Sequence, residues 1–156
     1  MRYMHRKHNL SIGERSAEDI KRNYGRAHIE KEQRVAEIRG RSTVTGLPES
    51  ERIGTNEMVD ALSEPLMAIA ERVRSLFERT PPELATDIAE SGIVLTGGGA
   101  MLTGLDAFIS ERAHVPCRVA EDPISCVVRG TGIVLEDLKT YNSAVSDYRR
   151  GEYYEL

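Results

Sequence analysis

The longest helical pattern in the chain places apolar residues three or four positions apart between Thr55 and Thr80. This spacing puts one face of a helix against a core, so we predict a core helix that Thr55 or Asn56 caps. Pro65 lacks a backbone donor and should kink this helix or start a second segment. A partner surface is the alternative use of the apolar stripe. Its members are Met58, Leu62, Leu66, Ile69, Val73, Leu76 and Phe77.

A period of two replaces the helical pattern from Gln33 onward. The outward and inward positions alternate from Val35 to Gly40, and the turn Gly46-Leu47-Pro48 leads into a second, more polar segment, Glu49 to Ile53. Alternation on both sides of a turn is typical of a hairpin. The segment is therefore predicted to be a small antiparallel sheet.

The residues before this hairpin are predicted to form two helices. Met1 to Asn9 begins without a cap, like a helix already under way, and Asn9 to Gly13 is predicted to be a turn. Ser16 is the predicted N-cap of a second helix, which runs to about Tyr24 and closes at Gly25. Glu18 and Lys21 lie on one face of it. They could form a surface ion pair, or jointly hold a sugar hydroxyl and a base edge.

The stretch from Ser91 to Asp106, SGIVLTGGGAMLTGLD, combines a strand, a glycine turn and a helix. Ile93 to Leu95 is a β-branched apolar run, as a buried strand needs. Because Gly97, Gly98 and Gly99 carry no Cβ, they can take positive φ and let a ligand approach their amides. These properties suit a phosphate or nucleotide cradle, and a tight turn without a ligand is the alternative. The turn lacks a Walker lysine and does not match GxGxxG.

Further elements are predicted on both sides of that stretch. A short helix should cover Glu83 to Ala89, and a second should cover Met101 to Arg112. A strand at Val115 to Ala120 should precede the last helix, Ile124 to Leu138, whose two glycines would let another element pack closely. Residues 139–156 lose all periodicity and are predicted to be a mobile tail, with a docking segment as the alternative.

Length and charge exclude several classes of function. A chain of 156 residues is one domain or two small lobes with a real core. A net charge of −4 with interleaved signs offers no basic face to nucleic acid. Cys117 and Cys126 lack metal spacing and suit free thiols in a reducing compartment, which predicts a cytoplasmic protein. No apolar run approaches the roughly 20 residues of a spanning helix, so any membrane contact would be peripheral.

Neither a metal site nor a hydrolytic site can be assembled from the sequence. No carboxylate or cysteine completes a ligand set around the four histidines, His5, His8, His28 and His114. No serine stands in a nucleophile elbow, and Glu121 and Asp122 before Pro123 are typical of a solvated turn. What remains is a binding site, with Glu18 and Lys21 on one lobe and Thr96 to Gly99 on the other.

With these residues assembled, the chain resembles the MreB family of bacterial actin homologues, including its Mbl-type paralogues. The resemblance covers Met1 to Leu138 through four stretches in order: NLSIGERSAEDIK, EIRGRSTVTGLP, ERTPPELATDIAESGIVLTGGGAMLTGLD and AEDPISCVVRGTG. It implies an α/β, actin-like (RNase H-like) ATPase fold, in which two nucleotide-binding halves face each other across a cleft. Only the second half is expected here. Residues 1–63 would be a small α+β lobe, and residues 64–138 a large lobe with a mixed sheet and helices.

The resemblance also implies ATP as the cofactor. Glu18 and Lys21 would face the base and ribose, with Asp19 and Ile20 between them. The cradle for the sugar and phosphates would consist of Thr96, Gly97, Gly98 and Gly99. The magnesium site, the phosphate hairpins and the water-positioning acid of the family belong to a first half that this sequence lacks. The chain alone is therefore expected to bind adenine nucleotide weakly and not to hydrolyse it.

The implied function is that of a rod-shape-determining protein that forms ATP-binding filaments and organises cell-wall elongation. Its implied partners are further copies of the chain, MreC, MreD and RodZ, in the cytoplasm beneath the inner membrane. The family's usual membrane-contact segments are not found. One alternative is a sugar kinase or chaperone-type member of the superfamily, which would need a substrate pocket or a peptide-binding domain. Another is an interaction module that binds no nucleotide and acts through its surfaces or its tyrosine-rich tail.

Overall fold

The computed structural model describes residues 1–142, so residues 143–156, most of the predicted tail, lie outside the described part. The described elements are six α-helices, five strands and one 3₁₀ turn. The helices are α1 (Arg2–His8), α2 (Glu14–Tyr24), α3 (Thr55–Arg79), α4 (Pro82–Ser91), α5 (Leu105–Ala113) and α6 (Cys126–Glu136), with a 3₁₀ turn at Gly98–Met101. The strands are β1 (Leu10–Ser11), β2 (Val35–Ser42), β3 (Pro48–Gly54), β4 (Ile93–Leu95) and β5 (Cys117–Val119).

Strands β1, β2 and β3 form one antiparallel sheet in that order. The register of the predicted hairpin runs from Val35 opposite Gly54 to Arg41 opposite Pro48, and Gly46 supplies the positive φ of the connection. The alternation in the sequence matches the pleat, since Ala36 and Ile38 are buried while their neighbours are exposed or half-buried. The predicted hairpin is therefore present.

One face of this sheet carries the first hydrophobic cluster. Helices α1 and α2 and the start of α3 pack against it. Its buried members are Met4, Leu10, Ile12, Ala36, Ile38, Ile53 and Met58. The cluster joins residues far apart in the chain, so this part of the protein has its own core.

The start of α2 differs from the prediction. Gly13, not Ser16, is the N-cap residue, and the helix begins at Glu14, whose carboxylate lies at the positive end of the helix dipole. The predicted turn before it contains β1, because Leu10 is fully buried and pairs with Ser42. A strand of two residues is too short to show a period. The predicted end of the helix, with Gly25 as C-cap, is confirmed.

Helix α3 continues through Pro65 as one element of 25 residues. Its buried positions are Thr55, Met58, Leu66 and Ala70. Two members of the predicted stripe, Ile69 and Leu76, are exposed, because the line of contact follows Ala70 rather than its neighbour. The stripe was correct for the first half of the helix and wrong at these two positions.

Helix α5 and the strands β4 and β5 pack on the second half of α3. The two strands are parallel, with Ile93 opposite Cys117 and Leu95 opposite Val119. Ala27, Leu66, Ala70, Leu105, Phe108 and Ile109 are the buried members of this second cluster. Helix α3 therefore connects two clusters, with Met58 in the first and Leu66 in the second.

The segment after the glycine turn is not one continuous helix as predicted. The 3₁₀ turn ends at Met101, and α5 begins only at Leu105, after Gly104 has taken a φ of +80°. A side chain at Gly104 would also collide with the ring of His28. Glycine at this position interrupts the helix and leaves room for the His28 ring. The presence of a glycine is the only local sign of this break in the sequence. The last helix and β5 fall inside their predicted ranges.

Candidate functional site

The C-terminal half of α2 carries the first group of predicted site residues. Lys21 Nζ lies 2.5 Å from Glu18 Oε2, and the two side chains are 47% and 51% exposed. An exposed pair of this kind adds little to stability, so both charged groups can be redirected toward a ligand at small cost. The ion pair and the ligand-holding alternative are thus compatible at these residues.

The two residues between them have different surroundings. Ile20 packs against the first hydrophobic cluster and holds α2 to the sheet. The backbone carbonyl of Asp19 accepts a hydrogen bond from the Asn23 side chain at 2.8 Å. Ile20 therefore positions the helix, and this packing fixes which face of α2 presents Glu18 and Lys21 to solvent.

Lys21 also lines a cavity of about 370 Å³ between α1, α2, the first sheet and α3. The apolar residues Ile20, Ile38, Ile53, Met58 and Leu62 contribute to its wall. Apolar cavities of this order with a few polar groups are typical small-molecule sites. No local pattern in the sequence predicts this cavity, because its wall comes from elements widely separated in the chain.

The glycine turn carries the second group. Gly97 has a φ of +79° and donates its N–H to the carbonyl of Pro123 at 2.6 Å. Gly98 and Gly99 begin the 3₁₀ turn, where the first N–H groups have no acceptor within the turn. Of the three glycines, Gly97 takes the positive φ that glycine permits, and Gly98 and Gly99 do not.

The space beside all three glycines is open. A Cβ built on Gly97, Gly98 or Gly99 would meet no atom within 4 Å outside its immediate neighbours. Thr96 connects this turn to β4. The triple glycine is therefore not required by packing within the described residues, and a ligand could approach the backbone here.

The elements that carry the two groups meet at one junction. Gly25, one turn after Lys21, faces Leu102, and the N–H of Ala27 donates to the carbonyl of Thr103 at 2.9 Å. Arg26 reinforces this contact, since its guanidinium donates to the carbonyl of Gly25 and to the Thr103 hydroxyl. The end of α2 and the end of the glycine turn are thus held together, although Thr96 to Gly99 do not line the cavity that Lys21 lines.

A charged cluster that the sequence did not predict fastens α1 to α3. Glu57 Oε1 accepts hydrogen bonds from Tyr3 Oη at 3.0 Å and from Lys7 Nζ at 2.9 Å, and it lies 2.6 Å from His8 Nε2. Burial would raise the pKa of Glu57, but the hydrogen bonds from Lys7, His8 and Tyr3 outweigh burial and hold it below its usual value. The pairing spans some fifty residues, so no local pattern could indicate it.

Residues 1–142 contain no candidate metal site. This part of the chain contains no group of three or more His, Cys, Asp or Glu side chains placed to hold an ion. Cys117 and Cys126 are free thiols. Burial raises the pKa of the Cys117 thiol, and the negative charge of Asp106 raises it further to a smaller extent. None of the helices that the structure describes has the length and apolar character needed to cross a membrane.

Solved structures show the same arrangement of elements. MreB5 of Spiroplasma citri bound to ADP superposes with a TM-score of 0.84 at 34% identity, over 91% of this chain and 43% of that one. A MamK double helical filament superposes with a TM-score of 0.61 at 23% identity, over 78% of this chain and 37% of that one, which supports the fold alone. The described part is therefore a portion of an actin-like α/β fold, as predicted.

The sequences identify the family within that class. The profile described as MreB/Mbl protein matches residues 1–143, so the chain belongs to the MreB/Mbl family. The cell shape-determining protein Mbl of Bacillus cereus is 44% identical over 88% of this chain and 41% of Mbl. The cell shape-determining protein MreB of Escherichia coli K12 is 46% identical over 86% of this chain and 39% of MreB. The chain spans about two fifths of the length of these relatives.

Proposed function

We propose that this chain is an adenine nucleotide-binding module of a cell shape-determining filament protein. The observation that carries the proposal is its similarity to MreB5, a relative solved with ADP and with AMPPNP, over more than nine tenths of the chain. The names of the curated relatives support the role in cell shape. Membership of the family removes the reason for preferring a sugar kinase or a chaperone.

The nucleotide would lie along the junction between α2 and the glycine turn. Glu18 and Lys21 would contact the base and ribose. Asp19 and Ile20 lie between them on the same turn of α2. The exposed charges of the pair and the adjoining apolar cavity supply the polar and apolar contacts that a nucleoside needs. Lys21 belongs to both features, which makes it the central residue of this wall.

The phosphates and the sugar would lie against Thr96, Gly97, Gly98 and Gly99. The open side of the glycines supports this placement, since nothing in residues 1–142 fills it. Unpaired amides at the start of a turn attract anionic oxygens. Bound ATP would supply the phosphoanhydride. This chain's own residues bind and orient it, and residues 1–142 offer no metal-ligand set, so we expect no hydrolysis by the chain alone.

The wider role follows the family. Residues 1–63 would act as the small lobe and residues 64–138 as the large lobe, linked through α3. The chain would assemble into filaments with copies of the family fold, in the cytoplasm beneath the inner membrane. MreC, MreD and RodZ, with the wall-synthesis machinery, would be its partners.

Titration with a fluorescent ATP analogue tests the nucleotide site. We expect saturable binding that Lys21→Ala and Gly98→Val each weaken by about tenfold or more, because they remove a charge and fill the cradle. The matched controls are Lys31→Ala, an exposed lysine outside the site, and Gly130→Val, where a Cβ also meets open space. Equal weakening by controls and site variants, or no saturable binding, would favour the interaction module that binds no nucleotide.

A further inference from the structure

Arg26 holds together three parts of the described chain. Its guanidinium donates to the carbonyl of Gly25 at 2.8 Å, to the hydroxyl of Thr103 at 3.3 Å and to the carboxylate of Glu30 at 3.0 Å. The Arg26 side chain is only 14% exposed. Because the guanidinium is a rigid fork of donors, it fixes the positions of its acceptors relative to one another. A single side chain thus joins the end of α2, the loop after the glycine turn and the segment between α2 and β2.

The backbone of this segment pairs with the same loop. Arg26 and Thr103 form a parallel β-bridge, and the N–H of Ala27 donates to the carbonyl of Thr103 at 2.9 Å. The ring of His28 fills the space beside Gly104, where a Cβ would lie 2.6 Å from the ring Cδ2. Contacts from the backbone and from two side chains therefore hold the loop against the segment.

The segment is itself anchored to α3. The side chain of Asn56 accepts a hydrogen bond from the N–H of Glu30 at 2.9 Å and donates one to its carbonyl at 3.0 Å. Because the backbone of Glu30 is fixed in this way, its carboxylate offers Arg26 a charged acceptor at a defined place. The guanidinium is consequently oriented before any ligand binds.

These contacts lie between the two groups of residues in the proposed nucleotide site. The N–H of Gly25 donates to the carbonyl of Lys21 at 2.9 Å. The residue before Thr103 donates its N–H to the carbonyl of Gly99 at 3.2 Å. A short series of hydrogen bonds and peptide units therefore connects Lys21 to the glycine turn, with Arg26 in the middle.

We propose that Arg26 is a positioning residue, which sets the separation of α2 and the glycine turn so that one nucleotide can contact both. This inference rests on the proposed function. Arg26 acts through Gly25 and Thr103 rather than by contact with the nucleotide. A ligand that spans two elements binds well when they are already held in place, since the cost of ordering them is otherwise subtracted from its affinity. Arg26 should therefore matter for ligands that reach both elements and not for ligands that reach α2 alone.

Comparing ATP with adenosine tests the proposal. Both ligands present a base to Glu18 and Lys21, whereas only ATP carries phosphates for the glycine turn. Dissociation constants for the full chain are measured by NMR titration. Thr103→Val removes one acceptor of Arg26 without changing charge, so it should weaken ATP binding by about threefold or more and adenosine binding by less than about twofold. Arg26→Gln should have a larger effect of the same kind, and Arg26→Lys an intermediate one.

Arg34→Gln is the matched control for the loss of a positive charge. Arg34 lies at the other end of the same segment and also donates to a carbonyl near the end of α2, that of Asn23 at 2.9 Å. This variant loses the same charge as Arg26→Gln but leaves the contact between Arg26 and Thr103 in place. The ratio of ATP affinity to adenosine affinity should therefore change by less than about twofold.

Hydrogen exchange without ligand tests the contact itself. Exchange at the Ala27 amide, which donates to Thr103, should accelerate by about tenfold in Arg26→Gln. Unchanged exchange would overturn the proposal. It is also overturned if the wild-type chain binds ATP and the ratio is unchanged in Thr103→Val, if Arg34→Gln lowers the ratio as much as Arg26→Gln, or if ATP and adenosine weaken in parallel, as a purely structural role requires.

The wild-type titration distinguishes failure of this proposal from failure of the proposed function. A wild-type chain that binds neither ligand would refute nucleotide binding and, with it, the positioning role of Arg26. A wild-type chain that binds ATP, with the same ratio in every variant, would refute the positioning role alone.

Discussion

The two ends of α3 belong to regions that differ in how completely their apolar side chains are buried. In the first, the side chains of Leu10, Ile38 and Ile53 are almost fully buried between the antiparallel sheet and the surrounding helices. In the second, α5 is well packed, but α6 and one face of the parallel strands remain open. Among residues 1–142, the first region is therefore covered by its own elements, whereas the second leaves α6 and one face of its strands exposed.

The largest difference between the two regions is expected when the same apolar volume is removed from each. Ile53→Ala should lower the free energy of unfolding by about 2–5 kcal/mol, because Ile53 is 1% exposed and leaves a cavity. Ile133→Ala on α6 should cost less than about 0.5 kcal/mol. Urea unfolding followed by circular dichroism measures both values. Similar losses at the two sites would mean that α6 is as well packed as the first core.

A smaller effect is expected at the junction of the regions. Gly104 has a φ of +80°, and a Cβ there would lie 2.6 Å from Cδ2 of His28. Gly104→Ala should therefore destabilise the chain by about 1–3 kcal/mol through strain and collision. Gly130→Ala, with ordinary φ and open space, is the control for thermal unfolding. If both variants melted alike, His28 would not be held against this loop.

The contribution of Glu57, which binds α1 to α3, can be tested by measuring stability at two pH values. The folded-state pKa of Glu57 is lowered, so its contribution is present above the unfolded pKa of about 4.3 and is lost as pH falls through the folded value. Glu57→Gln should destabilise the chain by about 1 kcal/mol at neutral pH and by less near pH 3. Urea unfolding at both pH values checks this, with the exposed Glu90→Gln as control. A loss that does not change with pH would contradict the pairing.

The smallest effect is expected at the proposed nucleotide site. Lys21→Ala should change the free energy of unfolding by less than about 0.5 kcal/mol, because its ion pair with Glu18 is half exposed. The same variant should lose nucleotide affinity, so stability and binding separate at this residue. Thermal unfolding of the variant without nucleotide provides the measurement. A large drop in melting temperature would show that Lys21 serves the fold.

The sequence predicted the elements whose signals are local. The alternation from Val35, the glycine that closes α2 and the apolar run of β4 each need only neighbouring residues to be recognised. Family-specific stretches then identified the actin-like fold. The predictions of site residues depend on that resemblance and await measurement.

Features that depend on distant partners could not be predicted. Strand β1 exists because Leu10 meets Ser42, and Glu57 gathers three donors from α1. The stripe on α3 failed at Ile69 because the position of α5 decides which side of a helix is covered. These contacts are set by packing after the local elements have formed.

We propose that α2 and the glycine turn form two walls of one adenine nucleotide site. Titrating ATP into isotope-labelled chain and following the backbone amide signals of Lys21 and Gly98 by NMR tests it most directly. We predict that both signals shift along the same saturation curve with one dissociation constant, while that of Val44 stays in place. Movement of only one wall, or two different curves, would contradict the claim.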